Sequence, residues 1–340
     1  MTMTPFLHKL IALTRKPQKT INYITALRRH PWIRLPESDI GGDVPTMLSV
    51  TERKMLHWIA REYPFEESKG SGCIVDAGAF LGGSTLALAS GVARNAASGE
   101  GGVVTIRSYD MFIAPNDHYC LDLIGHGRRA GDSVLDLAQI NLAAHAHMIK
   151  FYAGDFEEQP PPPGPIDILF VDIAKSWELN EAVIRNYFSR LIPGRSLVIQ
   201  QDTHDQSCPW VNLTMEFFAD YFEYLADDSA SRVFLATKPI PPDVLATPLQ
   251  QLPLEEKLRL MKACAARGTS SQIAFLDNVS TAWILFESVG LGEAIEYLDD
   301  LSQQQPWPGE PYVNHTKQAM EFLVDQRGFD RYIQDFFPKQ

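Results

Sequence analysis

The residues best equipped for chemistry begin at Cys73-Ile-Val-Asp-Ala-Gly-Ala-Phe-Leu-Gly-Gly-Ser-Thr85. An apolar run ends in an acid, Asp76, and a tight turn carrying Gly78, Ala79, Phe80 and Gly82 leads into a helix. Glycine removes the side chain where backbone must turn sharply or approach a ligand. Ser84 and Thr85 fall near the helix N-terminus, where backbone N–H groups point at an anionic group. A dinucleotide site wants Gly-x-Gly-x-x-Gly, but position 80 is Phe, so the close approach of a pyrophosphate is lost. A strand-to-helix turn with no ligand is the alternative reading.

Further acids close the apolar runs that follow. Asp110 ends Arg107-Ser-Tyr-Asp-Met111-Phe112 and can accept both hydrogen bonds of a ribose diol, although a lone acid there is more often a helix cap. Asp155 stands in Tyr152-Ala-Gly-Asp-Phe156. Asp172 ends Ile166-Asp-Ile-Leu-Phe-Val-Asp and precedes Lys175, Ser176 and Trp177. If the runs are parallel strands, all these acids emerge at one carboxyl edge, where open α/β sheets bind ligands.

The pattern Asp76-x-Gly78-x-x-x-Gly82-x-Ser84 resembles the first motif of class I S-adenosylmethionine-dependent methyltransferases, and the order of motifs over residues 73 to about 237 resembles their fold. The resemblance implies that Asp76, Gly78, Ala79, Phe80, Gly82, Ser84 and Thr85 hold the methionine end of S-adenosylmethionine. By the same resemblance Asp110 and Met111 receive the ribose, Asp155 and Phe156 edge the adenine, and Asp172 borders the cofactor. It also implies methylation of a hydroxyl on a small-molecule acceptor, as in bacterial O-methyltransferases acting on sugars and specialised metabolites.

Methyl transfer to oxygen needs the acceptor held in line and its proton removed, by a general base or with help from a divalent cation. Asp172-x-x-Lys175 resembles the Asp-x-x-Lys of catechol-type O-methyltransferases, in which the Asp binds magnesium and the Lys removes the proton. A lysine in that role needs its pKa lowered. The fifth run departs from the pattern: counting from Pro193-Gly194 without gaps puts Gln200 and Gln201 at the metal positions, and one extra residue brings Asp202 beside Asp172. Metal dependence is therefore open at this level. His204 is the rival base, with a pKa near neutrality and no need of metal. Trp177 and Trp210 are candidates for the acceptor pocket. His145 and His147 are too close in sequence to converge on one helix face and receive no role.

These groups need a parallel sheet to bring them together. Strands are expected at Cys73 to Asp76, Val103 to Tyr109, Ile149 to Tyr152, Ile166 to Asp172, Ser196 to Gln200, Phe222 to Leu225 and Val233 to Thr237, with helical patterns between the first five. The last two lie close together across Asp227-Asp228-Ser229, which predicts an antiparallel hairpin at one sheet edge. The expected fold is α/β and Rossmann-like: a seven-stranded, mostly parallel sheet with one antiparallel edge strand. Residues 1–70 read as an N-terminal helical cap, with helices at Phe6 to Leu13, Ile21 to Arg29 and Thr51 to Tyr63. Residues 71–240 read as the cofactor-binding core, and 241–340 as a C-terminal helical extension with helices at Leu254 to Arg267 and Thr316 to Val324. Pro160 to Pro163 and Pro165 form a stiff surface connector.

Composition narrows the partners. The 340 residues are 45% hydrophobic and 21% charged, as in globular proteins, and the net charge of −12 gives no positive field to gather nucleic acid. Cys73, Cys120, Cys208 and Cys264 are too scattered for a zinc site or a disulfide framework, and no segment reads as a signal peptide or membrane span. A cytoplasmic protein without membrane attachment is expected, with the helical extensions offering surfaces for a homo-oligomer. Two rival functions remain: a nicotinamide-dependent oxidoreductase, opposed by Phe80, and a catalytically idle cofactor-binding or scaffold protein, in which Gln200 and Gln201 mark a lost site.

Overall fold

The computed structural model describes residues 18–42, 44–65, 71–95, 103–125, 127–304 and 310–325. The helix expected at Phe6 to Leu13 lies outside them. Helix α1 (Gln18–Leu27) buries Thr20, Tyr23, Ile24 and Leu27, the three- and four-residue spacing of one helical face. Helix α2 (Val50–Glu62) starts at a capping box, Ser49 receiving the Glu52 N–H while the Glu52 carboxylate receives the Ser49 N–H. Such a cap contributes about 1 kcal/mol.

Strands and helices then alternate: β1 (Ser71–Ala77), α3 (Gly83–Ala93), β2 (Val103–Asp110), α4 (His118–Ile124), α5 (Leu135–Asn141), β3 (Ile149–Ala153), β4 (Ile168–Val171), α6 (Trp177–Tyr187), β5 (Leu197–Gln200), α7 (Pro209–Phe217), β6 (Phe222–Asp228) and β7 (Ser231–Ala236). The order across the sheet is β3-β2-β1-β4-β5-β7-β6. Strands β1 to β5 pair in parallel, and β7 runs antiparallel to both β5 and β6. This is the Rossmann-like seven-stranded sheet expected from the sequence. The hairpin lies at the sheet edge, and its reversed strand, β7, sits one place in from the outermost strand β6. Its turn is tighter than Asp227-Asp228-Ser229 suggests, because β6 continues to Asp228 and Ser229 takes the left-handed conformation at φ 51°.

Strands β4, β5 and β7 are buried along their whole length, so they read as continuous apolar runs. Alternate side chains divide between two cores. Ile74, Ile168, Phe170, Leu197 and Ile199 face α1, α2 and α3. Val75, Leu169, Val171 and Val198 face α6 and α7, and the same cluster takes in Leu260, Met261 and Ile284 from the C-terminal helices. Those helices are α8 (Pro242–Leu245), α9 (Leu254–Ala266), α10 (Ser271–Ser288), α11 (Leu291–Gln304) and α12 (Glu310–Asp325). Apolar side chains of α10 to α12 form a further small core around Phe275, Val279, Leu298 and Met320.

A buried ion pair fastens α10 to the sheet. Arg232 of β7 donates to Asp277 Oδ1 and Oδ2 at 3.2 and 2.9 Å, to Asn212 Oδ1 at 2.9 Å and to Cys264 Sγ at 3.2 Å. The helices after residue 240 thus share the core of the sheet rather than hanging from it. At the other end of the chain, Leu27, Trp32 and Trp58 occupy the same core as Leu225 and Val233. Among the described residues no helix is long and apolar enough to cross a membrane.

Candidate active site

Strand order reverses at β1, between β2 and β4, which opens a crevice at the carboxyl ends of these strands. The glycine turn fills its middle. The N–H groups of Gly78 and Ala79 donate to Tyr109 O at 2.8 and 3.2 Å, stitching the turn to β2. On the other side, a Cβ at Gly78 would lie 2.4 Å from the Asp172 carbonyl oxygen, and the residue has φ 101°. Only glycine satisfies both conditions. The turn closes backbone to backbone against β4 and brings Asp172 alongside it. Gly82, at φ 95°, opens α3, and a Cβ there would strike Leu142.

Beneath the turn, Asp76 is fully buried and accepts from the hydroxyls of Ser84 and Thr85, the former at 2.9 and 3.0 Å. Burial pushes the Asp76 carboxyl up to about 6, while the two hydroxyls favour the charged form. Ser84 and Thr85 therefore face inward and shape the turn, which leaves its backbone as the surface offered to a ligand. Ala79 and Leu81 pack into a small cluster with Phe112, Val134 and Ala138. Asn141 Nδ2 holds the Leu81 carbonyl at 2.9 Å.

Asp110 lies across the crevice mouth from Asp172. Its carboxylate accepts the Phe80 N–H at 2.8 Å and the Phe112 N–H at 2.7 Å, one on each oxygen. Phe80 and Phe112 have φ 48° and 51°, strained values for non-glycine residues that these bonds help to hold. Each carboxylate oxygen keeps a second acceptor site for an incoming hydroxyl. Burial raises the Asp110 pKa, opposed by the two backbone bonds and by Lys175. Met111, next to it, is exposed. The Gly154 N–H donates to Asp110 O at 3.1 Å, bringing the end of β3 alongside. Asp155 is exposed there and accepts from the Glu157 N–H at 3.0 Å. Phe156 turns away into the core, stacked on Tyr187 with ring centroids 5.0 Å apart and edge-on to Tyr109. It is a core aromatic rather than a flank for adenine.

On the far side of the glycine turn, Lys175 Nζ donates to Asp172 Oδ1 at 2.8 Å and to Asp202 Oδ2. All three side chains are half-buried. The Gln201 N–H completes the pairing with Val171 O at 2.9 Å, and the next residue, Asp202, turns at φ 60° to face Lys175. The extra-residue alignment is thus the one that brings Asp202 beside Asp172. Gln200 is buried, its amide on Met215 Sδ at 3.6 Å, and Gln201 Oε1 accepts from Ser231 Oγ at 2.5 Å. Neither glutamine joins the acids. Burial moves the Asp172 carboxyl up to about 7, opposed by Lys175 and assisted by Asp202. Burial would lower the Lys175 pKa, but the two carboxylates outweigh it and hold the amine protonated, above its ordinary range. That is the reverse of the lowered pKa expected of a lysine base.

The donor set does not fit a resident magnesium ion. Magnesium takes six hard oxygen ligands in near-octahedral array. Here two carboxylates converge on an ammonium, and among the described residues no group of three or more acidic, histidine or cysteine side chains is placed to hold a metal. His204 is set among other charges. The charges that act on it are Arg232, Asp277 and Asp227, its Nε2 is buried with no hydrogen-bond partner among the described residues, and burial lowers its pKa. Trp177 and Trp210 are buried against each other, ring centroids 5.7 Å apart, and donate to Glu287 and to the Ala174 carbonyl. They form the wall behind the Asp172 loop rather than an open pocket.

Sequence reasoning missed the loop before α2. A Cβ at Gly83 would lie 2.3 Å from Thr46 Oγ1, so this loop rests on the first turn of α3, and Met47 meets Cys120 at 3.8 Å between sulfurs. Met47 and Tyr119 are exposed on that rim. No motif marks Thr46 or Met47, and only the missing side chain at Gly83 hints at something packed there.

No family model matches the chain, and no curated protein matches it. Solved structures give distant likenesses. The O-methyltransferase NovP shares 13% identity, over 64% of this chain and 100% of its own, with a TM-score of 0.44. The calicheamicin methyltransferase CalS11 shares 15% over 65% of this chain and 94% of its own, with a TM-score of 0.41. The tRNA (m1A58) methyltransferase TrmI from Aquifex aeolicus shares 16% over 61% of this chain and 78% of its own, with a TM-score of 0.36. At this distance nothing that these proteins act on transfers to this chain.

Proposed function

We propose that the protein is an S-adenosylmethionine-dependent methyltransferase acting on a hydroxyl of a small molecule, such as a sugar or specialised metabolite. One observation carries this: the backbone of the Gly78 turn closes on the end of β4, setting Asp110 on one side and the Asp172–Lys175–Asp202 cluster on the other. The residues suit the cofactor. A half-buried carboxylate at the end of β2, with its second acceptor sites free of the backbone, matches a ribose diol, and the glycine-turn backbone at the start of α3 suits an amino-acid carboxylate. Asp155 is exposed at the end of β3, which supports a role for it at the edge of the adenine.

S-adenosylmethionine supplies a methyl group whose bond to sulfur breaks, the electron pair returning to sulfur, as the acceptor oxygen bonds to carbon. The chain supplies position and a proton acceptor. Asp172 and Asp202 are the groups able to take the hydroxyl proton, since Lys175 already holds its own. The net negative charge favours a small acceptor over nucleic acid. All four cysteines are unpaired, which suits a cytoplasmic enzyme.

Titration calorimetry with S-adenosylhomocysteine tests the cofactor. One-to-one binding to the wild type is expected, weakened at least tenfold by Asp110→Ala in a protein that still melts cooperatively, since a buried hydrogen bond to a charged group contributes roughly 1.5–3 kcal/mol. Absence of binding to the wild type overturns the proposal.

A further inference from the structure

The Asp172–Lys175–Asp202 cluster has the shape of a cation site whose cation is already part of the chain. Two carboxylates from the ends of β4 and β5 point at one spot, and the Lys175 ammonium occupies it. Local structure makes that placement firm. The Lys175 N–H bonds Ile173 O at 2.7 Å, bending the chain back over the end of β4, and Ser176 caps α6 immediately afterwards. Asp202 is held in its left-handed turn by the Asp205 N–H, which donates to Asp202 O at 3.1 Å. Among the described residues no third acid, histidine or cysteine joins the group to make a metal site.

We propose that the Lys175 ammonium is the protein's own cation at this site, standing where a divalent metal would bridge Asp172 and Asp202, and that its remaining N–H docks an acceptor hydroxyl oxygen. An ammonium has three donors, and two are committed to the carboxylates. The third leaves one position for an oxygen, beside two carboxylates that can take its proton. The acceptor is accordingly a molecule presenting a single hydroxyl to the lysine, with no need of the paired oxygens that chelate a metal. A divalent ion entering here would have to displace a positive charge at hydrogen-bonding distance from both of its ligands.

The docking of an acceptor rests on the methyl-transfer reading, whereas the exclusion of metal does not. The test is manganese binding, followed by the amplitude of the free Mn²⁺ signal in electron paramagnetic resonance. Wild-type protein is expected to leave that signal unchanged. Lys175→Ala and Lys175→Met, checked for folding by thermal melting, are expected to deplete it, with affinity at least about tenfold above the wild type. Adding Asp202→Asn to Lys175→Ala is expected to restore it. The proposal is overturned if the wild type binds Mn²⁺ one-to-one and loses it on Asp172→Asn, or if the folded lysine variants bind none. The wild-type arm needs no variant to fold. Failure of S-adenosylhomocysteine to bind would remove the methyltransferase reading and leave the manganese result standing.

Discussion

Replacing Asp277 with alanine should unfold the protein far more readily than its distance from the crevice suggests. Asp277 is fully buried on α10 and accepts two of the four hydrogen bonds of the Arg232 guanidinium, itself 8% exposed on β7. Asp277→Ala leaves that guanidinium buried with only Asn212 and Cys264 as partners. Breaking a buried pair by removing one partner costs about 3–5 kcal/mol, because the surviving charge is left uncompensated. Removing both charges is far milder, so Arg232→Met with Asp277→Leu should recover most of the loss. Urea unfolding followed by tryptophan fluorescence reads both variants, with S-adenosylhomocysteine affinity of the folded protein expected to stay unchanged. A loss below about 1 kcal/mol in Asp277→Ala, or a double variant as weak as the single one, would refute the claim that this pair binds the C-terminal helices to the sheet.

The glycine turn and the buried titratable groups give further expectations. Gly78→Ala, with its Cβ aimed at the Asp172 carbonyl and its φ at 101°, should cost about 1–3 kcal/mol in strain and weaken S-adenosylhomocysteine at least tenfold by calorimetry. His57 is fully buried against Ser90, and burial lowers its pKa from 6.5 to about 4. Its neutral form is favoured by folding, so it contributes stability above pH 6.5 that is lost as pH falls toward 4, about 3 kcal/mol in all. Asp76 has the opposite sign: its carboxyl is raised from 3.8 to about 6, so the folded state binds the proton more tightly and stability falls as pH rises through that window. Asp76→Asn should therefore steepen the loss of stability between pH 6 and 4, and His57→Gln should flatten it. Urea midpoints measured at pH 7 and pH 4.5 check both, and unchanged pH dependence in either variant would contradict the assignment.

The sheet was legible because each strand announces itself by β-rich apolar residues bounded by glycine, proline or acid. The Gly78 turn was legible because a strand, an acid and spaced glycines occur together. What the sequence could not show was where pairing stops. Counting puts Gln200 and Gln201 at the crevice, but the Gln201 N–H still pairs with β4, so the turn falls at Asp202. His204 is two residues from Asp202, yet its surroundings are set by Arg232 and Asp277, remote in sequence. Lys175 was read from its neighbours Asp172 to Trp177, while its protonation is decided jointly by Asp202, in the turn after another strand. Phe156 has the same sequence context whether it faces a ligand or the core, and only Tyr109 and Tyr187 decide between them. The apparent break at residue 240 marks the end of the sheet and not of its core, since Leu260, Met261 and Ile284 fill the layer beside α6 and α7.

A crystal structure grown with S-adenosylhomocysteine tests the central claim most directly. The account predicts the ribose hydroxyls on the Asp110 carboxylate, the amino-acid end over the Gly78 turn, and the sulfur facing Lys175. A crevice left empty at saturating ligand, or the nucleoside bound away from the ends of β1 and β2, would contradict it.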